Sequence, residues 1–501
     1  MKINRKIWFI ILFAAISLSN ANAKVLFWDN VSNYVRPPST VFINLGDYAK
    51  GDGSDETAAI QAAFDALPPA NNRDETGAIT EHPGGILYIP RPKSFYGISS
   101  TIEVIEKWNC TIVCETLALG TRGPITPFYF RWLGADNGTM FNFRSCKGMR
   151  LENLSMCGMD ANGLSASTDA GWTPPNGQRL TKGVTGITFG PQNAASGFQN
   201  SMIIDKLHIR AVATGIRLGD YPNNGPDVTT LTFRSTRISE FSQYGILCAS
   251  GNLAGTTFET LEMTSGKGAT AAIIVNAGEI LVLNWTLASS RGNYMPNPDG
   301  AAVIINSGGI QIVKAWSEWW APFLKTGSRA PETDYVTGGS ASYPIILEGV
   351  RHFDGPWMAD PANDPVPTSI IYDLPIPLHL IGCSLWGNVE LGTVSQSTII
   401  DQGTVFINKN QTGFTGAGAT QYGRVISIGT RDPSNARILQ PYVVDRRNTP
   451  GTSAPTSGTW SKGDRILNID PANVAGKNYS GWICTEAGTP GIWKPFGLIQ
   501  Y

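Results

Sequence analysis

A six-residue pattern recurs along the middle of this chain, with apolar side chains favoured at its first, fourth and sixth places. It reads Leu151-Glu-Asn-Leu154-Ser-Met156, Ile204-Asp-Lys-Leu207-His-Ile209, Phe233-Arg-Ser-Thr236-Arg-Ile238, Phe258-Glu-Thr-Leu261-Glu-Met263 and Val282-Leu-Asn-Trp285-Thr-Leu287. It continues as Val313-Lys-Ala-Trp316-Ser-Glu318, Leu347-Glu-Gly-Val350-Arg-His352 and Leu380-Ile-Gly-Cys383-Ser-Leu385. From Ile204 onward successive starts lie 29, 25, 24, 31, 34 and 33 residues apart, and the opening gap of 53 fits two turns. Such a period is the mark of a solenoid, in which each unit buries its apolar face only against its neighbours. The fourth and sixth places are two apart on a strand, so both point inward. The third place holds Asn153, Ser235, Thr260, Asn284, Gly349 and Gly382. These residues suit a tight bend, and stacked asparagines can share hydrogen bonds along the axis. A doubly wound sheet would need helical patterns between the strands, and none follows residue 70.

The segment before the repeats carries a second signal. Gly51-Asp-Gly-Ser-Asp55 reads as a turn, and Asp55 can cap a helix from about Glu56 to Leu67 with Ile60, Ala63, Phe64 and Leu67 on one face. A short strand, Gly84-Gly-Ile-Leu-Tyr-Ile-Pro90, follows and ends at its proline. The succession LGDYAKGDGSDETAAIQAAFDAL, then GGILYIPRPKSFYGIS, resembles the N-terminal opening of the pectate-lyase-like superfamily of right-handed parallel β-helices. The resemblance spans about 60 residues and implies the fold for the coils that follow. It implies less about the reaction, because the superfamily includes lyases, hydrolases, epimerases and phage tailspikes. The acidic cluster at Asp52, Asp55 and Glu56 lacks the ligand spacing of an EF-hand. It reads as turn and helix cap. A helix here would cover the open end of the solenoid, where strand edges and apolar cross-section would otherwise face water.

The two termini read separately. Lys2, Arg5 and Lys6 precede an apolar run from Ile7 to Ile16 and the small residues Ala21-Asn-Ala23. This predicts a secretory signal peptide over residues 1–23 and a mature chain, secreted to the periplasm or the exterior, from near Lys24. No later stretch is apolar enough for a membrane span. The body of the solenoid runs from 24 to 445. Residues 446–458, rich in Pro, Gly, Ser and Thr, read as a linker, and 459–501 as a small β module with Trp460, Trp482 and Trp493. The seven cysteines are too sparse for a disulfide scaffold and read mostly as small core residues, with room for one or two disulfides. Asn137 and Asn410 open glycosylation sequons, which matter only in a eukaryote.

Composition narrows the function. The net charge of −1 argues against a polyanion binder that works by overall positive charge, so no nucleic-acid partner is expected. Charged residues make up 15% of the chain, against roughly 25% on average. With 55 glycines and 14 tryptophans, the profile suits an extracellular β protein that handles sugars.

Few charges make those on the outer face informative. The fifth places run Ser155, His208, Arg237, Glu262, Thr286, Ser317, Arg351 and Ser384, and the second places include Asp205, Arg234, Glu259 and Lys314. Coils about 4.8 Å apart would line up His208, Arg237 and Glu262, with Asp205, Arg234 and Glu259 beside them. A solvated ladder of complementary charges, each pair contributing little, reads equally from these residues. Beta-elimination needs a cation or metal on a uronate carboxylate and a base for its α-proton. Arg237 and Arg234 could hold the carboxylate and His208 could be the base. Glycoside hydrolysis needs two carboxylates roughly 5 Å or 6.5–9.5 Å apart, which Glu262 with Glu259 or Glu318 could supply. Glu318 and His352 break the apolar rule at the sixth place. Either they meet inside as a buried pair, or the register slips there. Trp316, Trp319 and Trp320 around Glu318 read as a sugar-stacking cluster or as coil filling.

The expectation is therefore an all-β protein, a right-handed parallel β-helix with an N-terminal capping helix and a small C-terminal β module. It would be secreted and would degrade a polysaccharide, with a lyase acting on an acidic glycan as the preferred reading. The alternatives are a tailspike-like glycoside hydrolase and a non-catalytic glycan-binding or adhesive protein. No cofactor or metal site is required by the residues, calcium is left open, and a homotrimer is open by the tailspike resemblance.

Overall fold

The computed structural model describes residues 41–499 except 70–71, 74–78, 82–83, 116–127, 162–179, 191–198, 220–227, 251–252, 267, 290–299, 319–321, 327–343, 354–367, 375, 393–398, 408–413, 416–424, 429–448, 459, 461 and 471–477. The expected signal peptide, Trp319, Trp320 and the Asn410 sequon lie outside the described residues.

The main body is a single 31-stranded sheet wound into coils. Its strands form three parallel ladders. The first climbs from Gly85–Ile89 through Thr111–Cys114, Arg150–Glu152 and Gln199–Asp205 to Val425–Ile428. The second climbs from Tyr96–Ile98 through Phe130–Trp132 and Ser155–Cys157 to Val405–Phe406. The third begins at Ile102–Ile105 and Thr139–Arg144 and ends at Phe414–Thr415. This is the expected parallel β-helix, right-handed as crossovers between parallel strands are.

The six-residue repeat marks the passage from the first ladder to the second. Leu151, Ile204 and Phe233 follow one another in register on the first ladder, and Met156, Ile209, Ile238, Met263 and Leu287 on the second. All of these side chains are essentially buried. Between them the third place turns the chain. Asn153, Lys206, Ser235, Asn284 and Lys314 take left-handed φ values of 49° to 60°, and Gly349 and Gly382 stand there at 61° and 58°. L-residues other than Asn and Asp rarely adopt that region. The bend asparagines also tie coils together: Asn153 Nδ2 donates to the Cys114 carbonyl of the preceding coil at 3.2 Å, and Asn284 Nδ2 to that of Glu259 at 3.4 Å. The interior is aromatic on one side, where Phe143, Phe189, Phe233 and Phe258 follow one another with ring centroids 4.4 to 5.6 Å apart. All seven cysteines are free and buried, so no disulfide forms. Burial pushes the Cys110 and Cys383 thiols up to about 11.

Helix α1 spans Thr57–Asp65, shorter than expected at each end. Asp55 Oδ1 accepts from the Thr57 amide at 3.1 Å, as a start signal should, while the Glu56 carboxylate accepts from the Gly51 amide at 2.9 Å. Ile60, Ala63, Phe64 and Leu67 join the same buried cluster as the coil interior. Gln61 completes the backbone pairing of the nearest strand: its Nε2 donates to the Glu103 carbonyl at 2.9 Å and its Oε1 accepts from the Glu103 amide at 2.8 Å. A side-chain amide thus occupies a strand edge that would otherwise seek a partner. Lys107 Nζ donates to the Asp65 carbonyl at 3.1 Å and to that of Leu67, satisfying acceptors left open at the helix end. Among the described residues no helix is long and apolar enough to cross a membrane.

At the C-terminal end, Thr449–Gly451, Arg465–Asn468, Asn478–Glu486 and Ile492–Ile499 form a separate four-stranded sheet. Thr449–Gly451 falls in the stretch expected to be a linker. It pairs in parallel with Arg465–Asn468, so the β module begins inside that stretch.

One expectation is corrected by the register. Leu287 pairs with Ser317 and Trp285 with Ala315, which moves the repeat at this coil one residue back, to Ile312, Ala315 and Ser317. Trp316 faces outward at 40% exposure, and Glu318 faces outward as well. Lys314 sits at the bend rather than beside Arg234 and Glu259. The cause is volume. Trp285 already fills the interior of the coil before, leaving room beneath it for Ala315 and none for a second indole.

Candidate functional site

The outer face of the second ladder presents two columns of side chains, because residues two apart on a strand share a face. One column runs Ser155, His208, Arg237, Glu262, Thr286, Trp316, Arg351, Ser384. The other runs Cys157, Arg210, Ser239, Thr264, Ala288, Glu318, Phe353. Trp386 continues it, with its amide donating to the His352 carbonyl at 3.1 Å. The fifth-place alignment expected from the repeat therefore holds from Ser155 to Thr286.

In the early coils the charges neutralise one another. Arg210 forks onto Glu240 through Nε at 2.7 Å and Nη2 at 2.9 Å, with each side chain only 13% exposed. Arg237 Nη2 lies 3.4 Å from Glu262, and on the first ladder Arg234 Nε lies 3.3 Å from Glu259. Glu152 pairs with Arg150 and adjoins Asp205 in register, while Asp205 adjoins Arg234. Burial, with Asp205 adding to it, raises the Glu152 carboxyl above the usual carboxylate range against the pull of Arg150. His208 is 7% exposed, packs 5.1 Å from the Phe128 ring and approaches the Ser239 hydroxyl at 3.3 Å. Burial, then Arg237 and Arg210, push it down to about 3. It stays neutral, but so weakly basic a ring is a poor base for a carbon-bound proton. The structure brings His208, Arg237 and Glu262 together as expected and commits the two charged members to each other.

The later coils differ. Trp316 Nε1 donates to Glu318 Oε1 at 2.7 Å, which fixes the indole plane. The Phe353 ring stands 4.8 Å away at 39°. Arg351 is exposed and follows Trp316 in its column, and Ser384 follows Arg351. Trp316 with Glu318, Arg351 with Phe353, and Ser384 with Trp386 thus make three successive outward rows about 4.8 Å apart. Repeat reading had part of this patch, and of its two alternatives at Glu318, an inward pair or a register slip, the slip is the one that occurs. The missed members are Phe353 and Trp386, and the alternation Arg351-His-Phe353 was their available signal.

Inside the same coils His352 is fully buried against Ser317, not Glu318, so the expected Glu318–His352 pair does not form. His352 Nδ1 lies 2.9 Å from the Ser369 hydroxyl, which accepts from the Gly387 amide at 2.7 Å. This is a structural polar layer, closed off from the outer face. Among the described residues no cluster of three metal-ligating side chains occurs.

No protein-family model and no curated protein matches the chain. Solved structures do. The chain is similar to tailspike protein 2 from Escherichia coli O157:H7 bacteriophage CAB120, at 14% identity and a TM-score of 0.49, over 89% of this chain and 52% of that one. It spans about half the length of that protein. It is also similar to the catalytic unit of the GH87 alpha-1,3-glucanase from Streptomyces thermodiastaticus, at 11% identity and a TM-score of 0.43, over 79% of this chain and 69% of that one. A third is the A-module of the Azotobacter vinelandii mannuronan C-5 epimerase AlgE6, at 14% identity and a TM-score of 0.43, over 78% of this chain and 99% of that one.

Proposed function

We propose that this protein cleaves an acidic polysaccharide on the outer face of its second ladder, by β-elimination at the Trp316–Glu318 rows. The observation that carries the reading is the exposed indole held by Glu318, beside Phe353 and Trp386 on successive coils. Stacked rows of aromatic and polar side chains along a solenoid suit a long chain of sugar rings, which offer apolar faces and hydroxyl edges. Around Trp316, Glu318 is the one carboxylate among the described residues of the two outer columns. Glu262 stands two coils back and one column across, with its carboxylate facing the Arg237 guanidinium at 3.4 Å. Hydrolysis uses carboxylates about 5 Å or 6.5–9.5 Å apart. A single carboxylate suits elimination instead. It takes the proton α to the uronate carboxylate, a carbon–carbon double bond forms, and the glycosidic oxygen on the β-carbon leaves and is protonated from solvent. Export of the protein belongs to the same reading, since such substrates lie outside cells.

The test is a panel of uronate-containing and neutral polysaccharides, each with and without chelator. The reading expects absorbance near 235 nm to rise with at least one uronate polymer. New reducing ends without that rise mean hydrolysis and overturn the lyase. Binding without either product overturns catalysis and leaves a glycan-binding solenoid. Loss of activity in chelator would bring a cation into the site.

A further inference from the structure

We infer that Arg351 is the residue that reads the carboxylate of the sugar, and that it, not Arg234 or Arg237, sets a preference for acidic glycans. The inference rests on the proposed glycan-binding role of the Trp316 rows and adds to it a specificity-determining residue.

The ground is a difference in how arginines along the coils are occupied. Arg144, Arg150, Arg210, Arg234 and Arg237 each hold a carboxylate of this chain: Glu103, Glu152, Glu240, Glu259 and Glu262. Arg351 holds none among the described residues, and no ring or hydrogen-bond partner engages it there. It is exposed. A guanidinium already paired must give up its partner before it can take a ligand anion, and the partner then repels the same anion. An unpaired one has neither cost. Arg351 therefore offers a planar fork of donors that matches a carboxylate bidentately.

Its position supplies the second ground. Arg351 pairs in register with Trp316 on the next coil, about 4.8 Å along the axis by parallel-strand spacing, and shares its own row with Phe353. A sugar ring lying on the indole would have its substituents within reach of the guanidinium one coil along the axis and of Glu318 two residues along the strand. A cation at the carboxylate and a carboxylate at the adjacent carbon-bound proton are the two charges that elimination requires, and both flank the indole, one along the axis and one along the strand. The arrangement also gives the bound chain a direction, running along the solenoid axis from the Trp316 row toward Ser384 and Trp386.

The experiment measures binding by calorimetry to alginate, polygalacturonate and hyaluronan, each beside its carboxyl-reduced neutral form. The proteins are the wild type, Arg351→Ala, Arg351→Lys, Arg237→Ala and Trp316→Ala, at two salt concentrations. The inference expects at least one acidic polymer to bind more tightly than its reduced form. Arg351→Ala should lose on the order of 10- to 100-fold in affinity for that polymer and bind the reduced form as the wild type does. Arg351→Lys should recover part of the loss and Arg237→Ala should retain the preference. Wild-type affinity in Arg351→Ala, or a preference that vanishes with Arg237→Ala, overturns the inference. If both forms bind equally but depend on Trp316, Arg351 is refuted and the glycan-binding rows stand. If Trp316→Ala binds every polymer as the wild type does, or none binds at all, the rows themselves fail and the inference with them.

Discussion

Two stretches of one outer face, only a few coils apart, use their side chains in opposite ways. From Arg210 to Glu262 each cation lies against an anion, and His208 beside them is buried and kept neutral. From Trp316 to Trp386 this face carries an exposed indole, a half-buried carboxylate hydrogen-bonded to it and an exposed guanidinium with no partner among the described residues. The first stretch has satisfied itself and has little left to offer a ligand. The second leaves recognition groups facing solvent, where they contribute little to stability and so call for another explanation. Charge density alone, which drew attention to the first stretch in the sequence, does not distinguish a site from a ladder. Pairing does.

The largest effect expected is on catalysis in the second stretch. Glu318→Gln keeps an acceptor for the Trp316 indole and should lower turnover by about 10²- to 10⁴-fold, the usual worth of a proton-transfer group, with an unchanged melting temperature. Steady-state rates beside a thermal scan check both halves. The next effect is structural and belongs to the first stretch. Arg210→Ala strands Glu240 in a site only 13% exposed. That should cost about 3 kcal/mol or more of stability, read by denaturant unfolding, with activity kept at temperatures where the fold holds. Trp316→Ala should then raise KM about tenfold, in line with an aromatic stack of roughly 1.5 kcal/mol, at unchanged stability. Equal losses of stability from Trp316→Ala and Arg210→Ala would erase the contrast between the stretches.

His208 predicts a pH effect on the first stretch alone. Its folded pKa of about 3 lies below the ordinary 6.5, so the folded state resists protonation that the unfolded state accepts. Its contribution is fully present above pH 6.5 and is lost as pH falls toward 3, at about 1.4 kcal/mol per unit. His208→Gln should flatten the fall in melting temperature between pH 6.5 and 4 while leaving the neutral-pH rate near wild type. The smallest effect should come from Glu262→Ala, whose exposed contact with Arg237 is worth less than about 1 kcal/mol.

Much of this was legible in the chain. The repeat placed Met156, Ile209, Ile238 and Met263 inside one above another, because period-two alternation leaves a strand no other choice. The bends were legible where Asn or Gly stood. They were hidden at Lys206 and Lys314, whose left-handed backbone no propensity would predict. The coil at Val313 stayed open between two registers in the sequence because Val313 and Trp316 look as much like core as Ile312 and Ala315 do. Only the bulk of Trp285 in the neighbouring coil, a contact about 30 residues away in sequence, decides against them. The pairing of Arg237 with Glu262 was likewise offered by their spacing. That Arg351 has no such partner among the described residues depends on the side chains its neighbours place there, which periodicity does not carry.

The most direct test sets Trp316→Ala and Glu318→Gln against Arg237→Ala and Glu262→Ala on one polysaccharide that the wild type cleaves, comparing initial rates at equal folded fraction. The account predicts a loss of about 10²-fold or more in Glu318→Gln, about tenfold in Trp316→Ala at substrate below KM, and near-wild-type rates in the second two. The reverse order would contradict it and return the chemistry to the ladder of paired charges.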